Sequence, residues 1–146
     1  MVIPKRGGVL AIDHGTKRTG FAAADPLRIA VRPLETWRGA GMSPELIEHI
    51  AVLLAERDVD TLVLGLPRNM DGSEGPRAAE VRVFGAKLGA RFPGLKLEYV
   101  DERLTTKAAE ELLRESGFHG REARALRDSW SALVILREWL ATAAHD

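Results

Sequence analysis

The chain has 146 residues, 45% of them hydrophobic, the size and mix of a single globular domain that buries its own core. It has no cysteine, which excludes disulfides, zinc–thiolate centres and thiol catalysis. Lys plus Arg equals Asp plus Glu at 21 each, a balance that argues against a dedicated nucleic-acid binder unless the acidic residues surround a cation that reverses the local sign.

The first residues carry Lys5, Arg6, Gly7 and Gly8 without an apolar stretch, so no signal peptide is expected. No apolar run approaches the roughly 18 residues of a membrane helix. The expected location is the cytoplasm. No internal repeat, low-complexity segment or linker interrupts the sequence, and one domain is expected over 1–146.

Val9-Leu10-Ala11-Ile12 is a continuous apolar run ending in Asp13, the pattern of a buried central strand. Gly15 to Arg18 reads as a turn, Thr19 to Ala24 as a second strand, and Asp25-Pro26 as another turn. Ile29 to Thr36 reads as a third strand, with Pro33 favouring a sheet edge. Ser43 then Pro44 is an N-cap followed by proline at the first helical position. That helix carries Leu46, Ile47, Ile50, Leu53 and Leu54 on one face.

Thr61 to Leu66 is a further buried strand, stopped by Pro67. A polar loop, Arg68 to Gly75, leads to a helix opened by Pro76 and running to about Ala90, with Val81, Phe84 and Leu88 buried. Leu95, Leu97 and Tyr99 alternate with Lys96 and Glu98 as a fifth strand. Thr106 is placed to cap a third helix closed by Gly117. Asp128 to Ala144 reads as the last helix. Strands that follow helices run parallel through right-handed crossovers. The expected fold class is therefore α/β: a mixed five-stranded sheet, three antiparallel strands then two parallel ones, with helices on both faces.

Four segments carry chemistry. In Ala11 to Gly20, Asp13 ends a buried strand beside a glycine turn, a good place for an oxygen ligand to a hard cation. An Asp that bonds its own turn is equally consistent with the residues. Asp101 and Glu102 end the fifth strand, and alternation lets only one of them share a face with Asp13. Arg103 can pair with the other or with a phosphate; a plain salt-bridged strand end is the alternative. Asp128, before Ser129, reads by itself as a cap or macrodipole partner. Gly65 to Pro76 joins a strand end to a helix N-terminus, where backbone N–H groups favour an anion. It lacks the Gly-Lys-Ser/Thr of a P-loop, and an ordinary surface loop is equally consistent with the residues.

His14, His49, His119 and His145 show no ligand spacing, and His14 reads as a packing or turn residue. Trp130 and Trp139 read as core. Arg121, Arg124 and Arg127 either line one helical face towards a phosphodiester backbone or form a solvated face.

Together the segments Ile12 to Gly20, Gly65 to Gly72, Asp101 to Thr106 and Asp128-Ser129 resemble the YqgF/RuvX family of RNase H-like Holliday junction resolvases. The resemblance spans Val9 to about Leu140. Trp130 and Ser131 depart from the small residues the family pattern leads one to expect there. The resemblance implies an RNase H-like fold and a metal-dependent phosphodiesterase. It implies that Asp13, Glu102 and Asp128 converge as catalytic and metal-binding carboxylates, with Asp101 as the alternative to Glu102. It implies two Mg²⁺ or Mn²⁺ ions roughly 4 Å apart, acting on an in-line attack by water. Lys17, Arg18 and Arg103 are then candidates for flanking phosphates, and Arg68, Asn69 and Thr105 complete the substrate-contacting set.

Members of that family are linked to processing the 5′ end of precursor 16S rRNA and to four-way DNA junctions. No 2′-hydroxyl reader separates RNA from branched DNA in this sequence; RNA is slightly favoured. Two symmetric junction cuts would call for a homodimer. Two other classes are a non-catalytic binding module and an actin-like kinase. Three retained carboxylates argue against the first, and room for only one domain argues against the second.

Overall fold

In a computed structural model, residues 7–143 are described. Lys5 and Arg6, and Ala144 and His145 at the other end, lie outside the described residues. The elements are β1 (Gly8–Asp13), β2 (Arg18–Ala24), β3 (Val31–Pro33), β4 (Trp37–Arg38), α1 (Pro44–Ala55), β5 (Val59–Leu66), α2 (Pro76–Arg91), β6 (Lys96–Asp101), α3 (Thr105–Glu115) and α4 (Gly120–Ala143).

The sheet has the order β3-β2-β1-β5-β6, with β4 also paired to β2. β1–β2 and β2–β3 are antiparallel, while β5 runs parallel to both β1 and β6. This is the expected mixed arrangement with one strand more. The expected third strand, Ile29 to Thr36, is instead two short pieces, β3 and β4. Ile29 is 79% exposed and its N–H donates to the Asp25 carboxylate, so the start of that segment is a turn and not a strand.

Alternation divides the core. Leu10, Ile12, Leu62, Leu64 and Phe21 face α1 and α2, with Leu46, Ile50, Val81, Phe84 and Leu88 packed over them. Val9, Ala11, Ala22, Ala24 and Val63 face α4, covered by Ala132, Leu133, Ile135, Leu136 and Trp139. The small alanines on this second face let α4 lie close to β1 and β2. No helix among the described residues is long and apolar enough to cross a membrane.

Two helix starts differ from expectation. Thr105 is the first residue of α3 and Leu104 its cap, so Thr106 lies inside the helix and caps nothing. Gly117 does close α3 at φ +90°, with its N–H on the Arg114 carbonyl and that of Phe118 on the Leu113 carbonyl, the double bond of a Schellman end. α4 begins at Gly120, so Asp128 stands more than two turns inside the helix and is not a cap. Ser43 does stand at the N-cap of α1, but its hydroxyl donates backwards to the Ala40 carbonyl and not to the helix.

Candidate functional site

Asp13 is the last residue of β1 and, two places after Ala11, shares its face towards α4. Gly20 is its cross-strand partner on β2. A Cβ on Gly20 would lie 2.0 Å from the Asp128 carbonyl oxygen. The absence of that one carbon lets α4 settle against β2 beside Asp13, and this brings Asp128 to the site.

Glu102 arrives from the other side. Asp101 pairs with Leu66 in the β5–β6 register, and Leu66 packs in the α1/α2 core. The next residue therefore turns to the opposite face, the face of Asp13. The Glu102 N–H continues the ladder onto the Leu66 carbonyl at 3.1 Å. Gly65 makes room for its carboxyl: a Cβ there would lie 2.8 Å from Glu102 Oε2 and 2.5 Å from Ile135 Cδ1.

The two carboxyl groups meet in a hydrogen bond. Burial pushes Asp13 up to about 6, against the opposing pull of the Glu102 hydrogen bond, and the charge of Asp128 raises it further. Burial pushes Glu102 up to about 9, and the neighbouring Asp13 charge adds to the rise. At neutral pH the metal-free pair therefore holds one proton between its two carboxyl groups. Asp101 takes no part in this pair. Its carboxylate accepts from Arg103 Nε at 2.8 Å and from the Arg103 N–H at 3.1 Å.

Asp128 gives its carboxylate to Arg18, with Nε 3.1 Å from Oδ2. Among the described residues, no three His, Asp or Glu side chains are placed together to hold one ion. The donor set is nonetheless of the right kind: three carboxylates, two of them pressed together, with charge that a hard cation would neutralise. Asp128, the third, is engaged by Arg18.

Arg77 is a site residue that the sequence did not single out. It is the second residue of α2, after Pro76. Nη2 donates to the His14 carbonyl at 2.8 Å and faces His14 Nδ1 at 3.5 Å. Its charge pulls down the pKa of both Asp13 and Glu102. His14 holds it in place. Its Nε2 lies 2.7 Å from the Gly41 carbonyl and its ring 4.4 Å from Phe84. Burial lowers the His14 pKa, so the neutral ring donates through Nε2 and offers Nδ1 to Arg77. The packing role expected of His14 is found. The only hint of Arg77 in the sequence is its place just past Pro76 at a helix start.

The other expected contacts divide. Lys17 and Arg18 are exposed at the start of β2. Arg103 reaches the Met70 carbonyl at 3.3 Å, tying the 68–75 loop to the end of β6. Within that loop Asn69 Nδ2 donates to Ser73 Oγ at 2.9 Å, and Arg68 faces Glu74 at 3.8 Å. Thr105 is 5% exposed, and its N–H donates to the Glu102 carbonyl. It shapes the turn after Glu102. Arg127 stands near enough to lower the Asp13 pKa while its Nη1 lies 3.9 Å from Glu110. Trp139 is core, as expected; Trp130 is half-buried and packs edge-on against Phe118, and Ser131 is buried.

Comparison with known proteins bears on the family of the chain. A family model described as "RuvX: Holliday junction resolvase" matches residues 7–142. A protein of Anaeromyxobacter sp. (strain Fw109-5), named "Putative pre-16S rRNA nuclease", is 46% identical over 131 residues, covering 90% of this chain and 94% of its own. A protein of the same name from Halalkalibacterium halodurans is 39% identical over 132 residues, with 90% and 94% covered. Among solved structures, T. thermophilus RuvC in complex with Holliday junction substrate superposes with a TM-score of 0.55 at 14% identity, covering 94% of this chain and 96% of that one. The Fowlpox virus resolvase with Holliday junction DNA gives 0.57 at 9% identity, covering 93% and 98%. The structural likeness shows a shared RNase H-type fold. The family match over nearly the whole chain, joined to the sequence relatives, establishes that this chain belongs to the RuvX family.

Proposed function

We propose that the protein is a divalent-metal-dependent nuclease that hydrolyses phosphodiester bonds in RNA, acting in 5′-end processing of precursor 16S rRNA. The observation that carries this reading is the pairing of Asp13 with Glu102 on the α4 face of the sheet, with Asp128 near enough for its charge to raise the Asp13 pKa. The sequence relatives carry the name of that rRNA activity.

Asp13, Glu102 and Asp128 would hold Mg²⁺ or Mn²⁺. When bound, such ions lower the pKa of the attacking water and stabilise the departing oxygen. The chain's own residues do the rest. Gly20 and Gly65 set the spacing of the three carboxylates. Arg77, fixed by His14, favours the ionised forms of Asp13 and Glu102, which are the forms that bind metal. Lys17, Arg18 and Arg103 would take phosphates flanking the cut, and Arg68 and Asn69 would contact the strand from the loop. A part in ribosome assembly would place the protein in the cytoplasm.

The second reading is a junction resolvase, favoured by the wording of the family description. It requires two sites in one assembly, hence a homodimer. One assay separates the two. Purified protein is incubated with single-stranded RNA carrying the precursor 5′ end, single-stranded DNA and a four-way DNA junction, each with Mn²⁺, Mg²⁺ or EDTA. Metal-dependent RNA cleavage supports the first reading. Paired symmetric cuts in the junction, by a species of dimer mass in light scattering, would replace it by the second.

A further inference from the structure

We propose that Arg18 is an exchangeable counter-ion for Asp128 that couples capture of a substrate phosphate to binding of the metal. The proposal rests on the reading of Asp13, Glu102 and Asp128 as the metal ligands.

Three observations meet at this residue. Arg18 Nε lies 3.1 Å from Asp128 Oδ2, on the one carboxylate of the three that is not already joined to another. Among the described residues no three acidic or imidazole side chains are placed to share an ion, although the charge of Asp128 reaches Asp13. Gly20, two residues after Arg18, packs directly against the Asp128 carbonyl, so β2 and α4 are in close contact where the pair forms. The Arg18 side chain is 45% exposed and can leave Asp128 by rotating into solvent.

A phosphodiester offers Arg a competing acceptor with bidentate geometry and full charge. When the backbone of a strand draws the guanidinium away, Asp128 gains a free carboxylate facing Asp13. Without a strand, a cation has to displace Arg18 by itself and finds a positive charge at the site. Metal and nucleic acid then bind cooperatively, and linkage makes the effect reciprocal. The benefit is selectivity: the completed metal site forms on a phosphate chain and not in bulk solution. Lys17, the neighbouring exposed cation, assists attraction but contacts no ligand carboxylate.

The test reads metal binding and not turnover. Mn²⁺ is titrated into the full-length protein at pH 7.5, with free Mn²⁺ followed by electron paramagnetic resonance. The titration is repeated with a short phosphorothioate single strand that resists cleavage. The variants are Arg18→Gln, Arg18→Lys, Asp13→Asn and Arg127→Gln, each checked for folding by circular dichroism. Arg127 is the charge control, since it also acts on Asp13 but pairs with Glu110. The wild type is expected to bind Mn²⁺ weakly alone and about 5-fold or more tightly with the strand, a coupling of ordinary allosteric size. Arg18→Gln is expected to bind tightly without the strand and to gain little from it. Arg18→Lys falls between, and Arg127→Gln keeps the full coupling. Equal coupling in wild type and Arg18→Gln overturns the proposal, as does loss of coupling in Arg127→Gln. If Asp13→Asn leaves Mn²⁺ binding untouched, the metal-site reading itself falls; if Asp13→Asn weakens it while Arg18→Gln changes nothing, only the exchange proposal does.

Discussion

Gly20 lies beneath the Asp128 carbonyl oxygen, so close that a single added carbon would stand 2.0 Å from it. Gly20 is also the cross-strand partner of Asp13. One residue without a side chain therefore lies between the backbones of two acidic residues that are 115 positions apart in sequence. Gly20→Ala is predicted to force α4 outwards, because the obstacle is backbone that cannot rotate aside. The expected cost is about 1–3 kcal/mol of stability, typical of overpacking. Cleavage activity should fall more than the lost stability accounts for, since the third carboxylate moves off. Chemical denaturation and cleavage rates, both measured well below the melting temperature, check this.

Glu102→Gln is predicted to stabilise the metal-free protein at neutral and alkaline pH. Glu102 titrates at about 9 when folded, against an ordinary value of 4.5. A raised carboxyl pKa contributes stability that is present below pH 4.5 and is lost as pH climbs towards 9. Gln keeps a donor for Asp13 and has no proton to lose. The variant and wild type should be equally stable near pH 4, and the variant should pull ahead above about pH 6. A gain of roughly 1–3 kcal/mol near pH 8 is expected, because a tenfold change in proton affinity is worth about 1.4 kcal/mol and residual solvent contact discounts the sum. Urea titrations with chelator at pH 4, 6 and 8 measure it. The same variant should lose the stabilisation that Mn²⁺ gives the wild type.

Arg77→Gln is predicted to move the acid limb of the pH–rate profile to higher pH. Arg77 lowers the pKa of both Asp13 and Glu102, so its removal makes the pair harder to ionise. A close opposite charge changes the proton affinity of a carboxylate about tenfold or more, and partial exposure of the guanidinium weakens that effect to a few-fold. A profile of kcat/KM between pH 6 and 9.5 checks the displacement of the limb. An unchanged limb with a lower plateau would place Arg77 on the substrate and not on the carboxylates.

Trp139→Phe is predicted to separate stability from function. The indole Nε1 donates to Glu98 Oε2 at 2.9 Å, and Arg28 lies over the ring at 5.1 Å. Both contacts lie along the distant half of α4. Loss of the hydrogen bond should cost about 1 kcal/mol and lower the melting temperature by a few degrees. Cleavage at 25 °C should be unchanged.

The parts of the fold written as continuous apolar runs were legible from sequence. Val9 to Ile12 and Thr61 to Leu66 are buried on both faces, so their hydrophobicity has no other use. The start of α4 was not legible, because its first two turns carry Arg121, Glu122, Arg124 and Arg127 and pack mainly through Ala123 and Leu126. This hid the position of Asp128, which by local pattern alone reads as a cap. The choice between Asp101 and Glu102 needed the register, since alternation shows that they differ but only the Leu66–Asp101 pairing shows which one faces Asp13. Arg77 carried no signal beyond its neighbour Pro76, because its role depends on His14, which is 63 residues away in sequence.

The central claim is that Asp13, Glu102 and Asp128 act together on one metal-assisted cleavage. The most direct measurement is the single-turnover rate of Asp13→Asn, Glu102→Gln and Asp128→Asn on the substrate cleaved best, with Mn²⁺ present and folding verified. Each substitution removes charge and a hard donor from the set, so each should slow cleavage by at least about 100-fold, and Asp13→Asn combined with Asp128→Asn should be little worse than either alone. Wild-type rates in any one of the three well-folded variants would contradict the account.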